Sequence, residues 1–225
     1  GIGGGAFLLH YKAGKSSPHR EAIIDAYDGR ETAPESADEN LFTDAQGKTI
    51  PWRQRMAGGK GVGVPGLLRM LELSHKRHGK LPWARLFDQA IEMAERGFSV
   101  SPRLHTMIKR DRHLKNFPSA RRFFFTSDGE ALPVGTLLKN SEMAETLRQV
   151  ATKGADAFYT GAIARDIAAA VSSTHHLPAK MTAADIAEYR AKERGILCHP
   201  YRQWRICGMP PPTSGLSLMT TRLPI

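Results

Sequence analysis

Asp28-Gly29-Arg30-Glu31-Thr32-Ala33-Pro34 follows closely on the apolar run Ala22-Ile23-Ile24-Asp25-Ala26, with the glycine-rich segment Gly1-Ile2-Gly3-Gly4-Gly5 upstream. The run reads as a strand, and Gly29 and Pro34 fix a turn after it. An arginine held there is placed to grip an acidic small molecule. Its guanidinium offers a rigid fork of donors that matches a carboxylate, which lysine cannot reproduce. The competing reading makes Arg30 one of many solvated arginines in a basic chain.

Working outward, Ala6-Phe7-Leu8-Leu9-His10-Tyr11 reads as a buried strand, Lys15 to Arg20 as a turn, and residues 21–27 as a second strand forming a hairpin with the first. Glu35 to Gly61 has weak periodicity and is expected to be a long loop of the functional or mobile kind. A helical half follows. Pro65 suits a first helical turn, with Val64, Leu67, Leu68 and Leu71 at helical spacing and Gly79 as the stop. Pro82 opens a second helix carrying Leu86, Phe87, Ala90, Ile91 and Ala94 on one face, ended by Gly97. A third covers about Pro102 to Asn116. Asn140 or Ser141 caps a fourth, ending at Gly154, and a fifth runs from about Gly161 to Ser172. Thr182 caps a sixth, with Asp185 in the capping-box position. Leu197 to Met209 reads as a strand pair around Pro200. These stripes are core-forming and carry no chemistry.

The 225 residues suffice for one large domain or two small ones, and 41% hydrophobic with 24% charged residues is an ordinary globular composition. No apolar run approaches the roughly 18 residues of a membrane span, and no signal peptide is visible. The formal net charge of +10 raises nucleic-acid binding as a hypothesis. The basic residues are scattered and interleaved with acids, so no nucleic-acid partner is expected. Arg121-Arg122-Phe123-Phe124-Phe125 mixes base and aromatic as a single-strand binder would, but reads as a strand or loop whose aromatics pack inward. Cys198 and Cys207 lack CxxC spacing. A hairpin at Pro200-Tyr201 could join them as a disulfide in an oxidising compartment, and reduced, half-buried thiols are the favoured reading.

No GxSxG elbow, P-loop, HExxH or Gly-x-Gly-x-x-Gly motif is present. His175-His176 would point to opposite sides of an extended segment, and His105 and His113 are too far apart on a helix to chelate, so no metal and no cofactor are expected. A general base or nucleophile cannot be picked by spacing.

The pattern as a whole is more informative. Gly1 to Phe7, Ile24-Asp25 and Arg30-Glu31-Thr32-Ala33-Pro34 are followed by Gly61-Val62-Gly63-Val64-Pro65-Gly66 and His78-Gly79-Lys80-Leu81-Pro82-Trp83. Then come Ala90 to Phe98, Ala144-Glu145-Thr146-Leu147, Gly154 to Gly161, Met181 to Tyr189 and Pro210-Pro211-Pro212-Thr213-Ser214-Gly215. In this order the segments resemble the large subunit of γ-glutamyltranspeptidases (γ-glutamyltransferases), members of the N-terminal-nucleophile hydrolase superfamily.

That resemblance implies an α+β fold, specifically the helix-rich large-subunit part of a four-layer αββα sandwich. Residues 1–215 would form a partial large-subunit domain and 216–225 an atypical C-terminal tail. It implies a precursor that cuts itself in two, with the small subunit of the same precursor as partner. The small subunit's leading threonine would attack the γ-amide of glutathione and related compounds, using its own α-amine as base. The γ-glutamyl group would then pass to water, amino acids or peptides. Arg30 matches the arginine that grips the glutamyl α-carboxylate. Glu31 would position it, though a plain salt bridge or a surface role fits as well. The chain begins inside the glycine motif and ends where the family continues. Thr220-Thr221 is followed by Arg222 where the family has His, so both threonines are read as tail residues. The nucleophile is then not in this chain, and the chain alone is expected to be inactive. Two other readings stand beside this one: a related acylase of the cephalosporin or glutaryl type, and a truncated, inactive relic or binding module. In a bacterium the family implies a periplasmic or secreted location.

Overall fold

The computed structural model describes residues 1–14 and 23–222. The expected turn at Lys15–Arg20, the first two residues of the expected second strand, and the last three residues of the tail lie outside the described residues. In chain order the elements are β1 (Ala6–Lys12), β2 (Ile23–Gly29), α1 (Trp52–Arg55), α2 (Leu67–His78), α3 (Asp88–Arg96), β3 (Phe98–Ser99), α4 (Pro102–Arg110) and α5 (Pro118–Phe124). There follow β4 (Leu137–Leu138), α6 (Ser141–Lys153), α7 (Asp156–Tyr159), α8 (Gly161–Ser173), α9 (Ala183–Ala187), β5 (Lys192–Arg194), β6 (Leu197–Tyr201), β7 (Trp204–Gly208) and α10 (Gly215–Arg222). The chain divides into two compact units.

The first unit comprises residues 1–50, 58–80 and 159–225. Its centre is an antiparallel sheet in the order β1-β2-β5. β1 and β2 pair from Ala6↔Gly29 to Lys12↔Ile23, and the far edge of β2 pairs with β5 through Ala26↔Arg194, Tyr27↔Glu193 and Asp28↔Lys192. β2 is therefore flanked on both sides, and Ala26, Tyr27, Asp28 and Gly29 are all buried. α2 packs on β2 and β1. Tyr27, Val64, Leu68, Met70, Tyr159 and Ile186 are essentially inaccessible and form the middle of this unit. A separate hairpin, β6–β7, places Cys198 directly opposite Cys207.

Those two cysteines are joined as a disulfide. The expectation of reduced thiols is thus corrected. Residue patterns put both on a strand pair, but only the register sets them face to face, and periodicity does not fix a register.

The second unit comprises residues 51–57 and 81–158. A 3-10 turn, Trp83–Phe87, leads into α3, and both pack on α6. Trp83 donates its indole N–H to the Val150 carbonyl at 2.9 Å, which satisfies the buried polar end of an otherwise apolar ring. Ile108, Phe125 and Ala131 form a further cluster, with Leu104, Leu114 and Phe124 against it.

Most expected helices are present, with shifts that have local causes. Pro65 precedes its helix, which starts at Leu67 with Gly66 as N-cap. The third stops at Arg110, because the Asp111 carboxylate accepts the N–H groups of both His113 and Leu114 at 2.8 Å and turns the chain. Arg121 to Phe124 belong to a helix, α5, where a strand or loop is expected; Pro118 at its first position sets the helical φ. The aromatics do face inward, Phe125 most deeply. Asn140 caps α6 and Thr182 caps α9 with a complete capping box. Short β5 has no sequence signal of its own: Lys192-Glu193-Arg194 is wholly charged and is a strand only because β2 offers it an edge.

Candidate functional site

Arg30 leaves the end of β2 with its backbone held from two sides. Its N–H donates to Asp28 Oδ1 at 2.9 Å, and its carbonyl accepts the Tyr189 hydroxyl at 2.7 Å. Asp28 is buried, at 6% exposure, and its other oxygen accepts the N–H groups of both Nε and Nη2 of Arg194 at 2.9 and 2.8 Å. A carboxylate taken so far out of water needs that pairing and those hydrogen bonds. Arg194 comes from β5, so the strand unread in the sequence supplies the countercharge.

Tyr189 stacks against Tyr159, with ring centroids 6.0 Å apart and planes 21° from parallel. Burial, helped by the nearby Asp28 and Glu31 carboxylates, pushes the pKa of its hydroxyl up to about 12. It stays protonated at neutral pH and remains a donor to Arg30. Tyr159 is raised too, chiefly by burial, and its oxygen accepts the Arg69 N–H at 3.3 Å.

The glycines fit around this turn. Two N–H groups at the start of α2, those of Gly66 and Leu67, both donate to the Gly4 carbonyl at 3.0 Å, which satisfies donors a helix start leaves open. A Cβ on Gly66 would lie 2.2 Å from the Tyr189 hydroxyl and 2.3 Å from the Gly29 carbonyl. One on Gly5 would lie 2.6 Å from Glu31 Oε2. Both positions require glycine because backbone and side chains approach so closely. Thr32 bridges to Val64, and Pro34 is buried. Beyond it, the Asp185 carboxylate in the α9 cap accepts the Glu35 N–H at 2.8 Å.

The outcome is a rigid turn with a solvent-facing fork. The Arg30 side chain is 60% exposed, and its Nε lies 3.5 Å from Glu31 Oε2. That separation is long and solvated, so it orients the guanidinium weakly and leaves donors for an anion. Residue patterns single out Arg30 and the family resemblance adds Glu31, and the structure brings them together with the opening glycines. Those patterns miss Asp28, Arg194 and Tyr189 as the support. Of the histidines singled out in the sequence, the His105 ring bonds the Leu132 carbonyl at 2.8 Å, and the His176 carbonyl accepts the Gly59 N–H at 3.2 Å. Among the described residues no helix is long and apolar enough to cross a membrane.

Fold and site together define the class. The structure superposes on the Helicobacter pylori gamma-glutamyltranspeptidase with a TM-score of 0.83 and 32% identity, over 95% of this chain and 58% of that one. The cephalosporin acylase from Bacillus halodurans gives a TM-score of 0.77 at 29% identity, over 94% of this chain and 38% of that one. The fold is therefore the α+β fold of γ-glutamyltranspeptidases and related N-terminal-nucleophile hydrolases. The Gamma-glutamyltranspeptidase family model matches residues 1–223, and the chain belongs to that family. A glutathione hydrolase proenzyme of Bacillus subtilis is 34% identical over 215 residues, which is 96% of this chain but 35% of the relative. The chain thus spans about a third of the length of the curated relatives it matches.

Proposed function

We propose that this chain is a large-subunit portion, residues 1–215 with a short tail, of a γ-glutamyltransferase or glutathione hydrolase. Its complete protein cleaves the γ-glutamyl amide of glutathione and related compounds and passes the acyl group to water, amino acids or peptides. The observation that carries this reading is the Arg30 turn, where a fixed backbone presents an exposed guanidinium. A γ-glutamyl donor has an α-carboxylate at the end opposite its scissile amide, and Arg30 binds it bidentately. Glu31 limits the swing of the fork. Holding one end of the donor fixes where the amide carbon lies, and positioning of that kind is a large part of acyl-transfer catalysis.

The attacking threonine belongs to the small subunit of the same precursor, which is the partner of this chain; its α-amine takes the proton as the hydroxyl adds to the amide carbon. The proenzyme name of the Bacillus subtilis relative supports a processed precursor. The disulfide between Cys198 and Cys207 supports an exported location, periplasmic or secreted in a bacterium.

The likeness to a cephalosporin acylase favours a second reading, an acylase for other side chains. A glutaryl amide keeps the carboxylate that Arg30 would hold and lacks only the α-amine, so Arg30 serves either reaction. The test is turnover by the complete protein of γ-glutamyl, glutaryl and butyryl anilides. Preference for γ-glutamyl supports the transferase, preference for glutaryl supports the acylase, and indifference to the carboxylate would refute both.

A further inference from the structure

Away from Arg30, the opposite end of the β1–β2 ladder gathers three side chains that nothing in the γ-glutamyl reading uses. His10 and Asp25 are direct cross-strand partners, so they project from one face of the sheet. His78, the last residue of α2, reaches the same point. Asp25 Oδ2 lies 3.8 Å from His10 Nδ1 and 3.3 Å from His78 Nε2. We propose that His10, Asp25 and His78 form a binding site for a divalent transition-metal ion of the zinc class.

The geometry carries the proposal. One donor atom from each residue lies within 4.8 Å of the others. Ligands about 2.0–2.1 Å from a tetrahedral zinc are separated by roughly 3.3 Å, so drawing these atoms around one ion needs only small movements. His10 Nδ1 is buried and has no hydrogen-bond partner. A buried ring nitrogen left in that state is costly, and a cation would satisfy it. The two rings stack with centroids 3.7 Å apart and planes 11° from parallel, which brings both imidazoles to the same side of Asp25.

The surroundings complete a supporting shell. Arg77 Nη2 sits 3.5 Å from Asp25 Oδ1, and Arg77 Nη1 pairs with Glu193 at 2.6 Å. Arg77 thereby holds one carboxylate oxygen and leaves Oδ2 for the ion, while Glu193 offsets its charge. The Tyr27 hydroxyl, 2.7 Å from His78 Nε2, gives up its hydrogen bond to that nitrogen when the metal binds there. Two imidazoles and one carboxylate suit zinc, cobalt, nickel or copper better than magnesium or calcium. The remaining coordination position would hold water.

The test is calorimetric titration of the full-length protein with Zn2+ alone, with Co2+ as an absorbing substitute. We expect saturable binding of one ion and a tetrahedral cobalt spectrum. His10→Gln and Asp25→Asn should each weaken binding by roughly tenfold or more, and His175→Gln should leave it unchanged. No saturable uptake, unchanged affinity in the two site variants, or loss on His175→Gln would overturn the proposal. Should the site variants fail to fold, anomalous scattering at the zinc edge from crystals of the unmutated protein decides: a peak between the three side chains supports the site, and its absence after a zinc soak rejects it.

Discussion

Arg30 illustrates how an exposed residue can be rigidly placed. Its side chain stands largely in solvent, yet its N–H and its carbonyl are tied to Asp28 and Tyr189, both buried. Tyr189→Phe keeps the ring and removes the hydroxyl that the Arg30 carbonyl accepts. It should cost about 0.5–1.5 kcal/mol in denaturant unfolding. Arg194→Met should cost more, about 1–3 kcal/mol, because it leaves the buried Asp28 carboxylate short of donors. If the two variants proved equally mild, the buried ion pair would not be what secures the turn. Arg30 is legible in the sequence because its signal is local (a strand, a glycine, a proline), whereas Glu31 is singled out only by the family resemblance. Their support is not legible. Tyr189 lies 159 residues from Arg30, and Arg194 lies 166 from Asp28, a separation over which spacing rules carry no information.

Among the elements, β2 and α9 show what local patterns capture and what they omit. The capping box at Thr182–Asp185 is readable from residue types, and so are the stops at Gly97 and Gly154 that end α3 and α6. The pattern cannot show that the same Asp185 carboxylate also accepts the Glu35 N–H, tying the segment after Pro34 to the helix. Burial opposes ionisation of Asp185, but hydrogen bonds from the Glu35 and Thr182 N–H groups and the Thr182 hydroxyl outweigh it and hold the carboxyl below its usual range. The sign follows: the unfolded chain takes up the proton first as pH falls, so this stabilisation is present above the ordinary carboxylate range and lost below it. Asp185→Asn should therefore be less stable than wild type near neutral pH, with the gap narrowing as pH falls through and below the ordinary carboxylate range. A gap independent of pH would mean that charge is not what the cap uses. β6–β7 makes a second case, since a register invisible to periodicity brings Cys198 onto Cys207. Closing a loop with a sequence separation of 9 should contribute about 2–3 kcal/mol, so reduction should lower the unfolding midpoint, and the oxidised protein should show no free thiol when denatured. The metal-type cluster belongs here too. His10, Asp25 and His78 meet only because strand pairing and helix packing bring three distant segments together, and no motif spacing announces it.

At the scale of the molecule, the α+β class and the family are legible because a series of short segments falls in one order along the chain, although none is decisive alone. What is not legible is how the chain divides: residues 51–57 join the second unit while 58–80 return to the first, a passage that leaves no mark in composition. The chain spans about a third of its curated relatives, so the activity proposed for it is an activity of the complete protein. The central claim is that Arg30 holds the donor's carboxylate. It is tested most directly by steady-state kinetics of the complete protein with Arg30→Ala, using γ-glutamyl anilide and a butyryl anilide that lacks the carboxylate. Arg30 is exposed in this chain, and if donor binding covers it, removing a bidentate guanidinium–carboxylate pair should cost about 2–4 kcal/mol, so kcat/KM for the γ-glutamyl donor should fall roughly 30- to 1,000-fold, mainly through KM. The butyryl donor should be unaffected. Equal kinetics for wild type and Arg30→Ala on the γ-glutamyl donor would contradict the account.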